Sequence, residues 1–456
     1  MRSYATKLPI PGFLRGALNS PGAKKVLNNF AWLVGERGIT LLLALFVNIW
    51  LARYLGPELF GELSYVIAFV GLFGAFTYLG INGIAVRDLI EEKEKADEIL
   101  GTVFALKVGG SLLGIAAILA FTWGRSAQAN QLLISLLSIS MLFDSLGVIG
   151  FFFQSKLDAK TTTRATAYSQ IVSALLKILL IVLKGPLIAF VLVTLFEYIA
   201  RSLALVYLYQ SSGSSISRWS FRWKRAKSLL QQSWPLILSG IGSIIYLRID
   251  QVMIAEMLDT TEVGIYAVAV KFSEVWYFIP TALAASLFPT IIRYKKQDSA
   301  IYQQKMQRLY RIMVLLALGI ALAVTLTSGL LINTLFDPAY ARAADILRIH
   351  IWACPSIFMA AVLSKWLISE RLLIFSLVRH GLGAIANVGL NLVLIPRYGA
   401  TGAAIATVVS YTISSYLACF SYKRTSRTGL MMTKALLTPF KDFKKLPAMV
   451  SPASNS

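Results

Sequence analysis

Charge is what this sequence has least of. Only 14% of its 456 residues are charged, while 57% are hydrophobic; a soluble globular domain carries about a quarter charged residues. That composition excludes a water-soluble enzyme. Acids are the scarcer sign, with 22 Asp and Glu against 44 Lys and Arg, a net charge of +22. Cysteine and histidine number two each. Cys354 and Cys419 sit in apolar stretches and read as buried small hydrophobes rather than a disulfide framework. His350 and His380 lie far apart, no Cys/His cluster indicates a metal, and each histidine reads as a packing or cavity residue. No Gly-rich loop ending in Lys-Ser/Thr is present, so a built-in ATPase of that kind is excluded. No cofactor is expected.

What is present comes in apolar blocks of about twenty residues, enough to cross a ~30 Å hydrocarbon core at 1.5 Å per residue. Mean hydropathy is +0.67. The blocks predict about twelve spans, near 29–53, 60–82, 99–124, 131–153, 165–184, 186–209, 232–257, 262–292, 308–334, 344–369, 372–396 and 400–422. The first follows a basic tail without a small-residue cleavage site and is expected to be retained. Basic residues cluster in alternate loops: Arg87, Lys93 and Lys95; Lys156, Lys160 and Arg164; Arg218, Arg222, Lys224, Arg225 and Lys227. The opposite loops hold isolated cations such as Arg53, Arg125 and Lys184. This alternation places both termini and the longer loops in the cytoplasm. The positive charge therefore reads as topology and headgroup contact, not as a nucleic-acid footprint. Short outer loops leave no external domain to hold an active site.

The halves echo one another. Residues 52–69 can be laid over 255–272, with Gly61 on Gly264, and 154–208 over 368–422 without a gap, with Ser155 on Ser369 and Gly185 on Gly399. Membrane composition alone could produce either match. Together they favour two six-helix lobes, 29–209 and 232–424, joined by a basic cytoplasmic linker at 210–231 and flanked by tails at 1–28 and 425–456. Parallel repeats of this kind recur in secondary transporters, with the binding site between the halves.

Charge at membrane depth is expensive and needs a wet cavity, a partner or an interface. The spans nevertheless carry Glu36, Arg37, Lys107, Asp144, Lys177, Glu197, Arg201, Arg248, Asp250, Lys271, Glu274, Lys365, Arg379 and His380. Glu197/Arg201 and Lys271/Glu274 are spaced to pair along their own helices. Arg248 and Asp250 are two apart and must face different partners. One reading is a set of structural ion pairs. The other is an electropositive, water-filled vestibule whose Arg37, Lys107, Arg248, Lys271, Lys365 and Arg379 attract an anionic substrate such as a pyrophosphate. Asp250, Glu274 and Asp144 could then take protons or coordinate a coupling cation. Pro280 and Pro289 permit bends in the eighth span, and Asn387 and Asn391 read as glue between helices or as cavity residues.

Several segments carry a resemblance. WLARYLGPELFGELSY at 50–65, the run 248–289 beginning RIDQVMIAEMLDTTEVGIYAVAVKFSE, FDPAYARAADILRI at 336–349 and IPRYGATGAAIAT at 395–407 resemble the Wzx-type polysaccharide flippases. The likeness covers most of 29–424 and is most specific at 248–289. It implies the all-α, MATE-like fold of the multidrug/oligosaccharidyl-lipid/polysaccharide (MOP) exporters: two six-helix lobes around a central cavity. It further implies a non-enzymatic flippase, multi-pass in a bacterial inner membrane, that moves undecaprenyl-pyrophosphate-linked oligosaccharide by alternating access. H+ or Na+ is the implied coupling ion, and polymerase and chain-length proteins of the pathway are the implied partners. Carry-over is firm for Arg248, Asp250, Lys271 and Glu274. Alternatives are a multidrug antiporter, which would prefer an acidic cavity, a lipid II flippase, and a membrane glycan polymerase.

Overall fold

The computed structural model describes residues 21–123, 128–295 and 298–441, with the side chains of 21–40, 128–129, 159, 289–290 and 293 outside the described positions. Among the described residues all regular structure is helical. Hydrocarbon offers no partner for a free N–H or C=O, so a chain this apolar must satisfy its backbone within each segment. Ten stretches among the described residues are long and apolar enough to cross a bilayer on their own. The apolar side chains turned outward within them include Leu113 (65% exposed), Leu326 (75%) and Ile385 (74%). Water would not tolerate such a surface, but lipid does. The chain is a multi-pass membrane protein.

The ten stretches and the twelve spans expected from hydropathy differ at two places. Helix α1 (Pro21–Phe73) is continuous by hydrogen bonding but is broken at Gly56, which has φ 70° and ψ 171°. Only glycine adopts that geometry without strain, and Pro57 behind it lacks the N–H that would continue the ladder. Two expected spans thus fall within one helical stretch. The eighth expected span is divided between α11 (Thr260–Glu274) and α12 (Phe278–Arg293). The bend falls at 275–277, just ahead of Pro280, and leaves each piece too short to cross alone.

Shorter helices complete the N-terminal half: α2 (Ala75–Tyr78), α3 (Asn82–Glu91), α4 (Ala96–Thr122), α5 (Gln128–Ser138), α6 (Ser140–Asp144), α7 (Ile149–Ser155), α8 (Ala159–Val182) and α9 (Leu187–Ser211). The rest follow as α10 (Trp223–Met257), then α13 (Ser299–Leu335), α14 (Ala343–His350), α15 (Cys354–Ser369), α16 (Leu373–Tyr398), α17 (Ala400–Ser415) and α18 (Lys423–Leu437). Residues from 425 on, which carry no span pattern, are helical to Leu437 because Thr425, Thr428, Gly429, Met432 and Ala435 bury one face.

The repeat read from the sequence recurs in backbone detail. After α7, Leu157 has φ 60°, and after α15, its aligned partner Arg371 has φ 57°. Asp158 N donates to Phe153 O, and Leu372 N to Leu367 O, both at 2.9 Å. The preceding serines, Ser155 and Ser369, each donate back to the helix at 2.8 Å. Both helices end on the same left-handed cap.

A second aligned pair makes direct contact. A Cβ on Gly61 would lie 1.7 Å from Thr260 O, and one on Gly264 would lie 2.0 Å from Pro57 O. The contact is reciprocal, because Pro57 aligns with Thr260 as Gly61 does with Gly264. It lets α1 and α11 cross backbone to backbone, as small residues do between helices in membranes. The largest apolar cluster surrounds this crossing and includes Val66, Phe69, Tyr266 and Val270. A second cluster joins α3, α4, α7 and α9 to Leu229 of α10.

The segment leading into α10 docks on the start of α4. Ser220 N donates to Asp97 O at 3.3 Å and Arg222 N to Thr102 Oγ1 at 3.2 Å. Arg225 bonds Glu92 at 2.9 Å and Glu98 at 2.7 Å.

Two outcomes are expected. Gly61→Ala and Gly264→Ala should each lower stability by about 1–3 kcal/mol through overpacking. Gly109→Ala, where a Cβ meets nothing within 4 Å, should be tolerated; thermal unfolding in detergent checks all three. Bonds from Arg225 and then Lys95 hold the Glu92 carboxyl at about 2, below its ordinary 4.5. A lowered carboxylate pKa stabilises the fold above the unfolded value, and that contribution disappears as pH falls from about 4.5 to about 2. The side chain is 37% exposed, so solvent screening keeps the effect small. Arg225→Ala should lower the unfolding midpoint at pH 7 and flatten its decline in that acid window.

Candidate functional site

The charges within the spans gather in two places. The first is a cavity of about 420 Å³ lined by Tyr78, Asn82, Lys107, Asp144, Phe151, Thr162, Thr166 and Arg201. Lys107 is buried on α4, with Nζ 3.9 Å from Asp144 Oδ2 and 5.9 Å above the Phe151 ring. Arg201 of α9 bonds the other Asp144 oxygen at 2.5 Å and lies over Tyr198. One carboxylate thus answers two cations.

Beside the cavity, Lys177 of α8 meets Glu197 of α9 at 3.7 Å. Tyr198 lies within electrostatic reach of Arg201, Asp144, Glu197 and Arg248. Lys271 lies within reach of Glu274, Arg248 and Lys177. These relations link α6, α8 and α9 to α10 and α11 in one charged field. Among the described residues, Lys107, Lys177, Arg201, Arg248 and Lys271 supply five cations in it, against Asp144, Glu197 and Glu274. Arg248 has no ion-pair or hydrogen-bond partner among the described residues; a Cβ on Gly71 would lie 4.0 Å from its Cγ. The arrangement offers an anion an under-neutralised, partly wet basic surface.

The second place is a buried polar knot in the C-terminal half. Asp250 is 4% exposed and accepts from Tyr266 Oη at 2.8 Å, Asn391 Nδ2 at 2.7 Å and Thr407 Oγ1. Asn391 also donates to Asn387 Oδ1 at 3.2 Å. Around the knot lies a water-sized space of about 10 Å³ that Glu274 and His350 also line. Among the described residues no cation pairs with Asp250. The hydroxyl and amide donors satisfy the buried carboxyl in place of a cation.

Several expected relations change. Glu197 and Arg201 do not pair along α9; Glu197 reaches Lys177 and Arg201 reaches Asp144, because the neighbouring helices bring those opposite charges closer. Lys271 and Glu274 make no ion pair within 4 Å among the described residues. Arg248 and Asp250 do enter different surroundings, as two-residue spacing on a helix dictates. Asn391 ties α16 to α10 through Asp250. Lys365 is exposed on α15. Arg379 is buried on α16 and donates to Ser364 Oγ at 2.9 Å; neither residue lines the larger cavity. Arg37 lies outside the described side chains. Sequence reading did not single out Tyr266 and Thr407, whose hydroxyls carry little signal in an apolar helix.

The sequence matches the polysaccharide biosynthesis protein family over residues 26–295. The chain belongs to this family. It is similar to a Haloferax volcanii protein described as a flippase, AglR, at 22% identity over 407 residues, 82% of this chain and 78% of that one. It is also similar to a Shigella flexneri protein described as an O-antigen transporter, at 23% identity, covering 88% and 98%. Among solved structures, an inward-facing multidrug resistance MATE family transporter of the MOP superfamily superposes with a TM-score of 0.69 at 16% identity, covering 87% of this chain and 96% of that one. This family member therefore has the MATE-like fold of the MOP superfamily.

Asp144→Asn should strand Lys107 and Arg201 together and cost about 1 kcal/mol, the 40% exposure of the carboxylate screening the effect. Lys107→Met, which keeps side-chain volume and leaves Asp144 on Arg201, should cost less. Equal thermal midpoints for the two variants would contradict the shared-carboxylate arrangement.

Proposed function

We propose that the protein is a flippase that carries undecaprenyl-pyrophosphate-linked oligosaccharide across a bacterial inner membrane for cell-surface polysaccharide assembly. The observation that carries this reading is the excess of cations around Arg248. In a family devoted to polysaccharide biosynthesis, an interior basic surface requires an anionic cargo. A pyrophosphate cannot cross hydrocarbon unaided, while a prenyl tail can stay in lipid. Arg248, Lys271 and Lys107 form the central headgroup contacts, with Arg37, Lys365 and Arg379 as further cationic contacts along the path. Guanidinium and ammonium groups bind phosphate oxygens by charge-assisted hydrogen bonds.

In this reading the lobes 29–209 and 232–424 alternate about the Gly61/Gly264 crossing, with the 210–231 linker and both termini in the cytoplasm. The Asp250 knot is the coupling element, and Glu274 and Asp144 are secondary candidates. Protonation of Asp250, or a sodium ion held among Asp250, Asn391 and Thr407 oxygens, would change the charge of α10 two residues from Arg248. Ion occupancy and anion binding would then act on one helix. Polymerase and chain-length proteins of the pathway are the expected partners.

Arg248→Glu, expressed in a strain whose own gene is deleted, should reduce exported glycan more than tenfold while its amount in the membrane stays normal. Full export by that variant rules out the assignment.

A further inference from the structure

The last helix presents an unusual surface. Residues 423–441 contain Lys423, Arg424, Arg427, Lys434 and Lys441 and no Asp or Glu. The inward face of α18 is settled by its contacts. Thr425, Thr428, Gly429, Met432 and Ala435 are buried, and a Cβ on Gly429 would lie 2.9 Å from the Phe420 ring. Gln307 Nε2 of α13 donates to Met431 O at 2.8 Å, Arg427 donates to Gln303, and Arg311 reaches Thr438. The helix is thus fixed against the first turns of α13.

Its outward face is a stripe at helical spacing, Lys423, Arg427, Leu430, Lys434 and Leu437, and Lys441 follows in the turn beyond it. Leu430 is 54% exposed, Leu437 77%, and Phe440 beside them 71%. Among the described residues none of the five cations has a carboxylate partner within ion-pair distance. Cations interleaved with leucines on one face suit a surface that is anionic outside and apolar just beneath. A nucleic acid or an acidic protein would satisfy the charges and leave the leucines and Phe440 in water. The helix also begins one short turn after α17, so it lies where the last span leaves the membrane.

We infer that α18 lies in the headgroup layer of the leaflet where α17 ends, binds anionic phospholipid there, and so anchors the end of α13 to the membrane surface. On the orientation proposed above this is the cytoplasmic leaflet, whose anionic lipids attract juxtamembrane cations.

The test uses the full-length protein, in which both native cysteines are buried, labelled with a fluorophore at Leu437→Cys. It is reconstituted into vesicles of phosphatidylcholine alone or of a phosphatidylcholine–phosphatidylglycerol mixture, with either lipid brominated. Brominated phosphatidylglycerol should quench at least twice as strongly as brominated phosphatidylcholine at equal mole fraction. High salt should remove the difference, as should Lys423→Gln/Arg427→Gln/Lys434→Gln on the same background. Absence of quenching by either lipid would place the helix off the membrane and overturn the inference. Equal, salt-independent quenching would show apolar burial without anion recognition and also overturn it. The unsubstituted basic stripe suffices for both readings if the triple variant fails to fold.

Discussion

Gly61 and Gly264 meet where no larger residue fits, each backed by a carbonyl of the helix opposite. In lipid, helices gain nothing from hiding apolar surface from water, so close van der Waals contact must hold them together. The crossing supplies that contact at one point and reciprocally. Pro57 and Gly56 prepare it by breaking α1 just before Gly61. Around it α1 and α11 are nearly continuous in buried side chains, including Val66, Phe69, Val263 and Val270. The two halves therefore share an extensive apolar core around the crossing, in which Phe69 and Tyr266 both take part.

The charged groups follow from the same environment. An isolated ion in hydrocarbon is unfavourable by several kcal/mol, so Lys107, Asp144 and Arg201 share charge across three helices, and Lys177 takes Glu197. Sharing stops short of neutrality. Among the described residues the field holds five cations to three carboxylates, and neither Arg248 nor Lys271 has an ion-pair partner there. Asp250 shows the converse solution: an acid with no cation beside it among the described residues, surrounded by hydroxyl and amide donors. Arg248 and Asp250 occupy one helix two residues apart, so the state of one is felt by the other through a short, rigid element.

Outside the apolar layer the rules revert to those of water and headgroups. The Arg225–Glu92–Glu98 cluster is built from ordinary, partly exposed ion pairs, which join the start of α10 to the start of α4 and contribute modestly. At α18 no cation has a carboxylate partner among the described residues, and Lys423, Arg427 and Lys434 share their face with leucines. One sequence thus uses Lys and Arg both as paired struts and as cations without a carboxylate partner among the described residues.

The helical class, the multi-pass character and most span positions were legible in the sequence, because an apolar run of about twenty residues has few alternatives once backbone groups must bond within their own segment. The repeat was legible too, at Gly61 on Gly264 and at Ser155 on Ser369, since left-handed caps and close crossings restrict residue choice. Division of the eighth span at 275–277 was legible only as a bend near Pro280. Pairing was not legible. Spacing along α9 offered Glu197 to Arg201, yet neighbouring helices supplied Lys177 and Asp144 instead. The partners of a buried charge lie on other helices, and sequence distance carries no record of which helices touch. For the same reason Tyr266, Asn391 and Thr407 converge on Asp250, and α18 covers α13, only once the chain is packed.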